Sequence, residues 1–173
     1  FLLAGVVMLF LTFEMSKALF RDKSDKKRHY LSALILASNI QFITISIRST
    51  PDMLLCLFIN ISLYGFIRLL FQNDVRLRNY LFAFVGAALA VETKGILGCL
   101  PVGYVLMFIL ANKDRAYYLR QVSHLPVMIL AAVLALAWFV AIVVRHGDTA
   151  LNAFFFDQVG VRLQEADSLI LSN

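Results

Sequence analysis

The chain has 173 residues, of which 61% are apolar and 16% charged, against about 45–50% and about 25% in a soluble globular domain. So little polar sequence could not cover so much apolar surface in water, and the same arithmetic excludes a disordered chain, a collagen, a coiled coil and a disulfide scaffold. The formal net charge of +5 would suit nucleic acid, but in so apolar a chain the placement of charges says more than their sum. The expectation is an all-α integral membrane protein, a multi-pass helical bundle with lipid as its solvent and no nucleic-acid partner.

Six candidate spans follow in chain order, at about 1–20, 31–47, 53–71, 80–91, 96–111 and 125–144; a bilayer core takes roughly 20 apolar residues, fewer where the ends snorkel. The fourth and fifth are short and meet at Glu92-Thr93-Lys94-Gly95. That junction reads either as a tight turn between two spans or as a kink in one long helix, and the glycine beside a charged pair favours the turn. Residues 145–173 mix polar and aromatic side chains and read as an external loop with an interfacial helix, Phe154-Phe155-Phe156 serving as an aromatic belt. Cys56 and Cys99 lie inside apolar runs, as packing residues do, and no cysteine–histidine spacing marks a metal site. The chain opens at Phe1 with neither a Met nor a charged leader, and reads as an internal piece of a longer protein.

Orientation comes from the basic residues. Lys17, Arg21, Lys23, Lys26, Lys27, Arg28, Arg68, Arg76, Arg78, Lys113, Arg115 and Arg120 all fall at one side of the six-span arrangement, leaving Arg48, Lys94, Arg145 and Arg162 at the other. The positive-inside rule places the loop Arg21–His29 in the cytoplasm of a multi-pass plasma (inner) membrane protein, and the 145–173 tail outside. Each outer cation has an acid close in sequence: Arg48 has Asp52, Lys94 has Glu92, Arg145 has Asp148, and Arg162 has Asp157 and Glu165. Cations kept beside carboxylates on the face where cations are rare point to an anionic ligand.

Each feature also has a plainer account. Thr50, Pro51 and Asp52 suit the N-cap, first position and first turn of a helix; Arg48 is left over. Glu92-Thr93-Lys94-Gly95 lacks the glycine-rich lead-in and Lys-Ser/Thr order of a phosphate-binding loop. Lys94 is thus either a snorkelling lysine paired with Glu92 or a point-charge partner for a phosphate at the interface. Arg162, alone, would be a headgroup contact. Glu14 and Lys17 are spaced as an ion pair on one helix. Asn39, Gln41 and Asn60 read as interhelix hydrogen bonds, and the absence of mid-span acids or histidines argues against a proton-driven transporter.

Three segments in this order resemble the polyprenyl-phosphate-dependent glycosyltransferases of the ArnT and protein-O-mannosyltransferase type (glycosyltransferase family 39). Arg48-Ser-Thr-Pro-Asp52-Met-Leu-Leu resembles their R-x-x-P-D-M-x-L stretch. Thr93-Lys94-Gly95 with Pro101 resembles T-K-G-P…P, with Ile96 in place of the first proline. Ala137-Trp138-Phe139 followed by Phe154-Phe155-Phe156-Asp157-Gln158-Val159-Gly160-Val161-Arg162 resembles P-W-Y…F-F-x-E-x-x-x-x-R, with Ala137 for the proline and Leu163 where phenylalanine is common. The resemblance implies a GT-C fold and an enzyme that transfers a sugar from a polyprenyl-phosphate carrier to a lipid, glycan or protein acceptor on the outer face.

It also implies that Arg162, Lys94 and Arg48 bind the carrier's phosphate, with Asp52, Glu92 and Asp157 supporting the same external cavity. The catalytic carboxylate is expected in an external loop upstream of Phe1, so residues 1–173 by themselves are expected to be inactive. No metal ligand set is visible and no cofactor is implied beyond the lipid-linked sugar. The alternatives are a flippase or transporter of lipid-linked sugars, which would need polar residues along its pathway, and a structural subunit, against which the external cation–acid pairs speak.

Overall fold

The computed structural model describes residues 1–20, 26–48 and 50–146, and every regular element among them is helical. Helix α1 is Leu2–Leu19, α2 Lys26–Ala37, α3 Ile40–Ile47, α4 Pro51–Gln72, α5 Leu77–Tyr80, α6 Gly86–Lys94, α7 Leu100–Ala111, α8 Arg115–Val122 and α9 Leu125–His146. A wide π turn, Leu81–Val85, joins α5 to α6, and a 3-10 turn, Gly95–Cys99, joins α6 to α7. Residues Phe1–Ala135 form one unit. In the second, Leu136–Asn173, the described part is the continuation of α9 to His146.

By length and apolarity four described stretches can cross a bilayer: Leu2–Leu19, Pro51–Gln72, Leu77–Ala111 and Leu125–Arg145. The bent pair Lys27–Ala37 and Ile40–Ile47 makes a fifth if it is one span. This all-α membrane architecture therefore has fewer qualifying spans than the six expected. The second candidate is broken by 62°, because Asn39 takes an extended backbone and its side chain accepts the Phe42 amide at 3.1 Å, starting α3 afresh. The fourth and fifth count together as one stretch because helical turns run on through Gly95–Cys99, although the chain reverses there, as the glycine beside the charged pair predicts.

The merged stretch is nevertheless not a straight rod. Val105 and Ile109 share one buried cluster with Phe66, Leu69, Tyr80 and Ala83, and the Phe108 ring lies 5.4 Å from that of Phe71. In a straight helix Ile109 would stand about 40 Å beyond Tyr80. The chain turns back at Gly95, whose φ of +63° is one that residues with a Cβ rarely adopt. Gly98 completes the turn, since a Cβ there would lie 2.1 Å from the Val91 nitrogen. The arm Leu77–Lys94 and the arm of α7 thus lie side by side.

Helix α4 is the axis of the unit. It packs on α6 through residues with almost no side chain, as helices in lipid do when close van der Waals contact must replace the hydrophobic drive. A Cβ on Gly65 would lie 2.3 Å from the Ala83 nitrogen, and one on Gly86 2.9 Å from the Ser62 nitrogen. Ser62 Oγ donates to the Ala83 carbonyl at 2.6 Å, fixing the seam at the π turn. Ala83, Ala87, Ala88 and Ala90 are buried along it. On its other side α4 meets α1 running in the same direction: Ala4 and Met8 pack on Met53 at one end, and Gln72 Nε2 donates to the Ala18 carbonyl at 3.5 Å at the other.

Several polar groups expected to bridge helices act locally instead. Asn60 Nδ2 donates to the Cys56 carbonyl of its own helix at 2.8 Å, and Asn39 is the α3 cap. The Glu14–Lys17 ion pair forms as its spacing predicts, at 2.7 Å.

The end of α4 is closed by a polar knot. Asn73 adopts the left-handed conformation (φ 52°), which turns the chain out of the helix and lets the Asp74 amide reach back to the Arg68 carbonyl at 3.1 Å. The Asp74 carboxylate accepts from Arg68 at 2.7 Å and lies 3.2 Å from Arg76 Nε. Gln121 Nε2 donates to the Leu69 carbonyl and to Asn73 Oδ1, while Tyr80 Oη donates to the Gln121 carbonyl at 2.7 Å. These bonds clamp α8 to the ends of α4 and α5.

Two predictions follow from this packing. Gly65→Val should lower thermal stability in detergent by about 1–3 kcal/mol, read from the unfolding midpoint, while Leu77→Val on the exposed surface should leave it nearly unchanged. The hydrogen bond from Arg68 holds the Asp74 carboxyl below its usual range. Its stabilising contribution is therefore complete above the ordinary carboxylate pKa of about 3.9 and is lost as pH falls through the lower folded-state value. Asp74→Asn should reduce stability at neutral pH and flatten its loss on acidification, measured by unfolding from pH 7 down to about pH 2.

Candidate functional site

The seam between α4 and α6 decides which side chains meet at the end of the unit opposite the polar knot. Pro51 occupies the first position of α4 and Asp52 its first turn, and Lys94 is the last residue of α6. Antiparallel packing of the two helices carries Lys94 to Asp52, 42 residues earlier, and the ammonium forms an ion pair with Asp52 Oδ1. Each charge also suits its own helix end, the carboxylate at an N-terminus and the ammonium at a C-terminus. The two side chains remain 41% and 37% exposed, so the pair contributes about 0–1 kcal/mol to stability. It stays open to exchange with another charged group.

Three sequence expectations change here. Lys94 pairs with Asp52, not with Glu92; Glu92 is exposed, and among the described residues it makes no ion pair. Arg48, expected beside Asp52, lies exposed in the connection between α3 and α4, and among the described residues its guanidinium makes no ion pair. Thr50 stands at the N-cap of α4 with extended backbone but makes no side-chain capping bond; Pro51 and Asp52 hold the places expected of them. Arg48, Asp52 and Lys94 all belong to the same end of the unit. Ser46, two residues before Arg48, faces Met53 at 3.7 Å.

Arg162, Asp157 and the Phe154–Phe156 run lie outside the described residues, as does Arg21–Asp25 of the basic loop. Trp138 and Arg145 are on α9 in the second unit. Among the described residues no three His, Cys, Asp or Glu side chains come together as metal ligands do.

Sequence reading missed the knot around Asp74 and Gln121 and the buried contact of His29 Nδ1 with Ser16 Oγ at 3.1 Å. Asn73-Asp74 at the end of an apolar run is a helix-stop signal that could have marked the first of these. The others depend on tertiary register.

The profile of the dolichyl-phosphate-mannose-protein mannosyltransferase family matches residues 1–144. The chain belongs to that family. The match takes in both segments that meet at the ion pair, as well as Ala137-Trp138-Phe139. This places the chain among multi-pass membrane proteins of a GT-C glycosyltransferase family. The chain is also 28% identical, over 160 residues, to an uncharacterized protein of Aquifex aeolicus (strain VF5). That alignment covers 91% of this chain and 30% of the relative, so the chain spans less than a third of the curated relative it matches. No solved structure matches it.

Cross-linking tests the hairpin that builds the site. With Cys56 and Cys99 replaced by serine, Phe71→Cys/Phe108→Cys should cross-link in the full-length protein with a short bifunctional reagent, and Asp52→Cys/Lys94→Cys likewise. A straight helix over Leu77–Ala111 would leave the first pair unlinked.

Proposed function

We propose that the protein is a membrane glycosyltransferase that takes a sugar from a polyprenyl-phosphate carrier and transfers it to an acceptor on the outer face. The observation that carries the reading is the meeting of Asp52 and Lys94. Two segments that resemble family motifs, far apart in sequence, converge at one end of the unit, with Arg48 on the connection beside them. Positive-inside bias makes that end external: Lys17, Arg68, Arg76, Arg78 and Arg120 belong to the opposite end. Among the described residues the mid-span polar side chains Thr12, Asn60 and Ser62 donate to helix backbone carbonyls, which does not favour a polar route for a flipped sugar headgroup.

In the proposed reaction the acceptor oxygen bonds to the anomeric carbon as the bond from that carbon to the phosphate oxygen breaks. The acceptor's proton passes to a carboxylate acting as general base. The departing phosphate gains negative charge, and cations held where that charge develops stabilise it more in the transition state than in the ground state. Arg162, with Lys94 or Arg48, fills that role. Asp52 keeps Lys94 oriented until the phosphate competes for it; Glu92 and Asp157 complete the polar rim.

Carrier binding tests the assignment. Undecaprenyl phosphate binding to the full-length protein in detergent, at two salt concentrations, should weaken about 10-fold or more for Arg162→Ala and for Lys94→Ala, in keeping with a charge-assisted hydrogen bond. Asp52→Asn should instead tighten it by removing the competing carboxylate. Unchanged affinity in both alanine variants would return Arg162 to an interfacial anchor and Lys94 to a structural ion pair.

A further inference from the structure

The α1–α2 side of the unit carries a feature that the phosphate site does not use. Residues 27, 30, 31, 34 and 37 recur at helical spacing on one face of α2. Against α1 they border an open groove of about 570 Å³. Leu9, Leu31, Leu34 and Ala37 form its walls, and Lys27 and Tyr30 lie toward the start of α2. Leu31 and Leu34 are more than half exposed. The contacts of Phe13 with Tyr30 and of Ser16 with His29 hold α1 to α2 at this same end.

We propose that this groove seats one anionic phospholipid of the leaflet at the basic end, with an acyl chain along α2 and its phosphate at Lys27. The length argues for it. From Lys27 to Ala37 α2 rises about 15 Å, half of the roughly 30 Å hydrocarbon core, so the groove has the depth of a single leaflet. The charge argues for it as well. Its wall is apolar for that whole depth and carries a cation at one end, where a headgroup would lie. Lys27 belongs to a run with Arg21, Lys23, Lys26 and Arg28, the kind of juxtamembrane basic cluster that favours anionic lipid. A second protein segment would supply apolar contact but has no need of the cation. The proposal is independent of the phosphate site at the opposite end, and its test does not use sugar transfer.

The test is native mass spectrometry of the full-length protein released from nanodiscs of mixed phosphatidylglycerol and phosphatidylcholine. Retention of phosphatidylglycerol over phosphatidylcholine is expected in the wild type. The preference should fall about fivefold in Lys27→Ala and disappear in Lys27→Glu, while Ala33→Phe, which fills the groove, should lower retention of both lipids. Lys27 is an exposed side chain, so its variants remain informative if the groove-filling variant fails to fold. Glycerol phosphate at millimolar concentration should not compete; competition would reduce the site to a free phosphate contact and overturn the lipid proposal. It is equally overturned if all variants retain both lipids as the wild type does, or if a photo-cross-linker at Ala33 captures another part of the protein in place of lipid.

Discussion

The approach of α4 to the helical arm that precedes Lys94 is the constraint on which the rest of the unit depends. Lipid gives apolar faces no reason to seek each other, so helices there hold together through contact area and hydrogen bonds. Gly65 and Gly86 remove the side chains that would keep the two backbones apart, and the Ser62 hydroxyl caps a carbonyl in the space so gained. Once these three positions are engaged, sliding either helix by a turn would drive a bulkier side chain into backbone. The register at the middle of the bundle thereby dictates which charges meet at its end.

The polar knot at the other end plays a complementary part. Where α4 stops, its last carbonyls and the chain leaving it must be satisfied next to an apolar core. Asp74 gathers arginines from both sides of the turn, and Gln121 returns from α8 to take up the Leu69 carbonyl. The returning arm is pinned at its far side, and so the reversal at Gly95 is supported from both ends of the arm it creates.

Much of this was legible in the residues, and the remainder failed for definable reasons. The apolar runs revealed the helices because lipid imposes composition on every residue of a span. Gly95 revealed the reversal because a positive φ restricts the choice of residue. Asn39 concealed a break because an asparagine inside an apolar run serves equally as a cap or as an interhelix donor. The partners of Lys94 were misread for a more general reason. Sequence proximity offers Glu92, whereas successive residues on a helix point different ways and the actual partner is set by a seam about two to four helical turns away from each charge. Family resemblance singled out both segments of the candidate site without showing that they touch.

The π turn at Leu81–Val85 gives the arm an unusual history in its helical phase. A π turn accommodates one more residue than an α turn over the same length, and one residue of an α-helix is worth about 100° of rotation about its axis. Everything beyond Val85, Lys94 included, is therefore wound to an azimuth that an unbroken α-helix of the same number of residues would miss by about 100°. Tightening Leu81–Val85 to α geometry would leave composition, apolarity and the glycine reversal untouched. It would nonetheless swing the lysine a quarter-turn or more away from Asp52. In this chain one extra residue, taken up where Ala83 packs on α4, aims a charge at the surface.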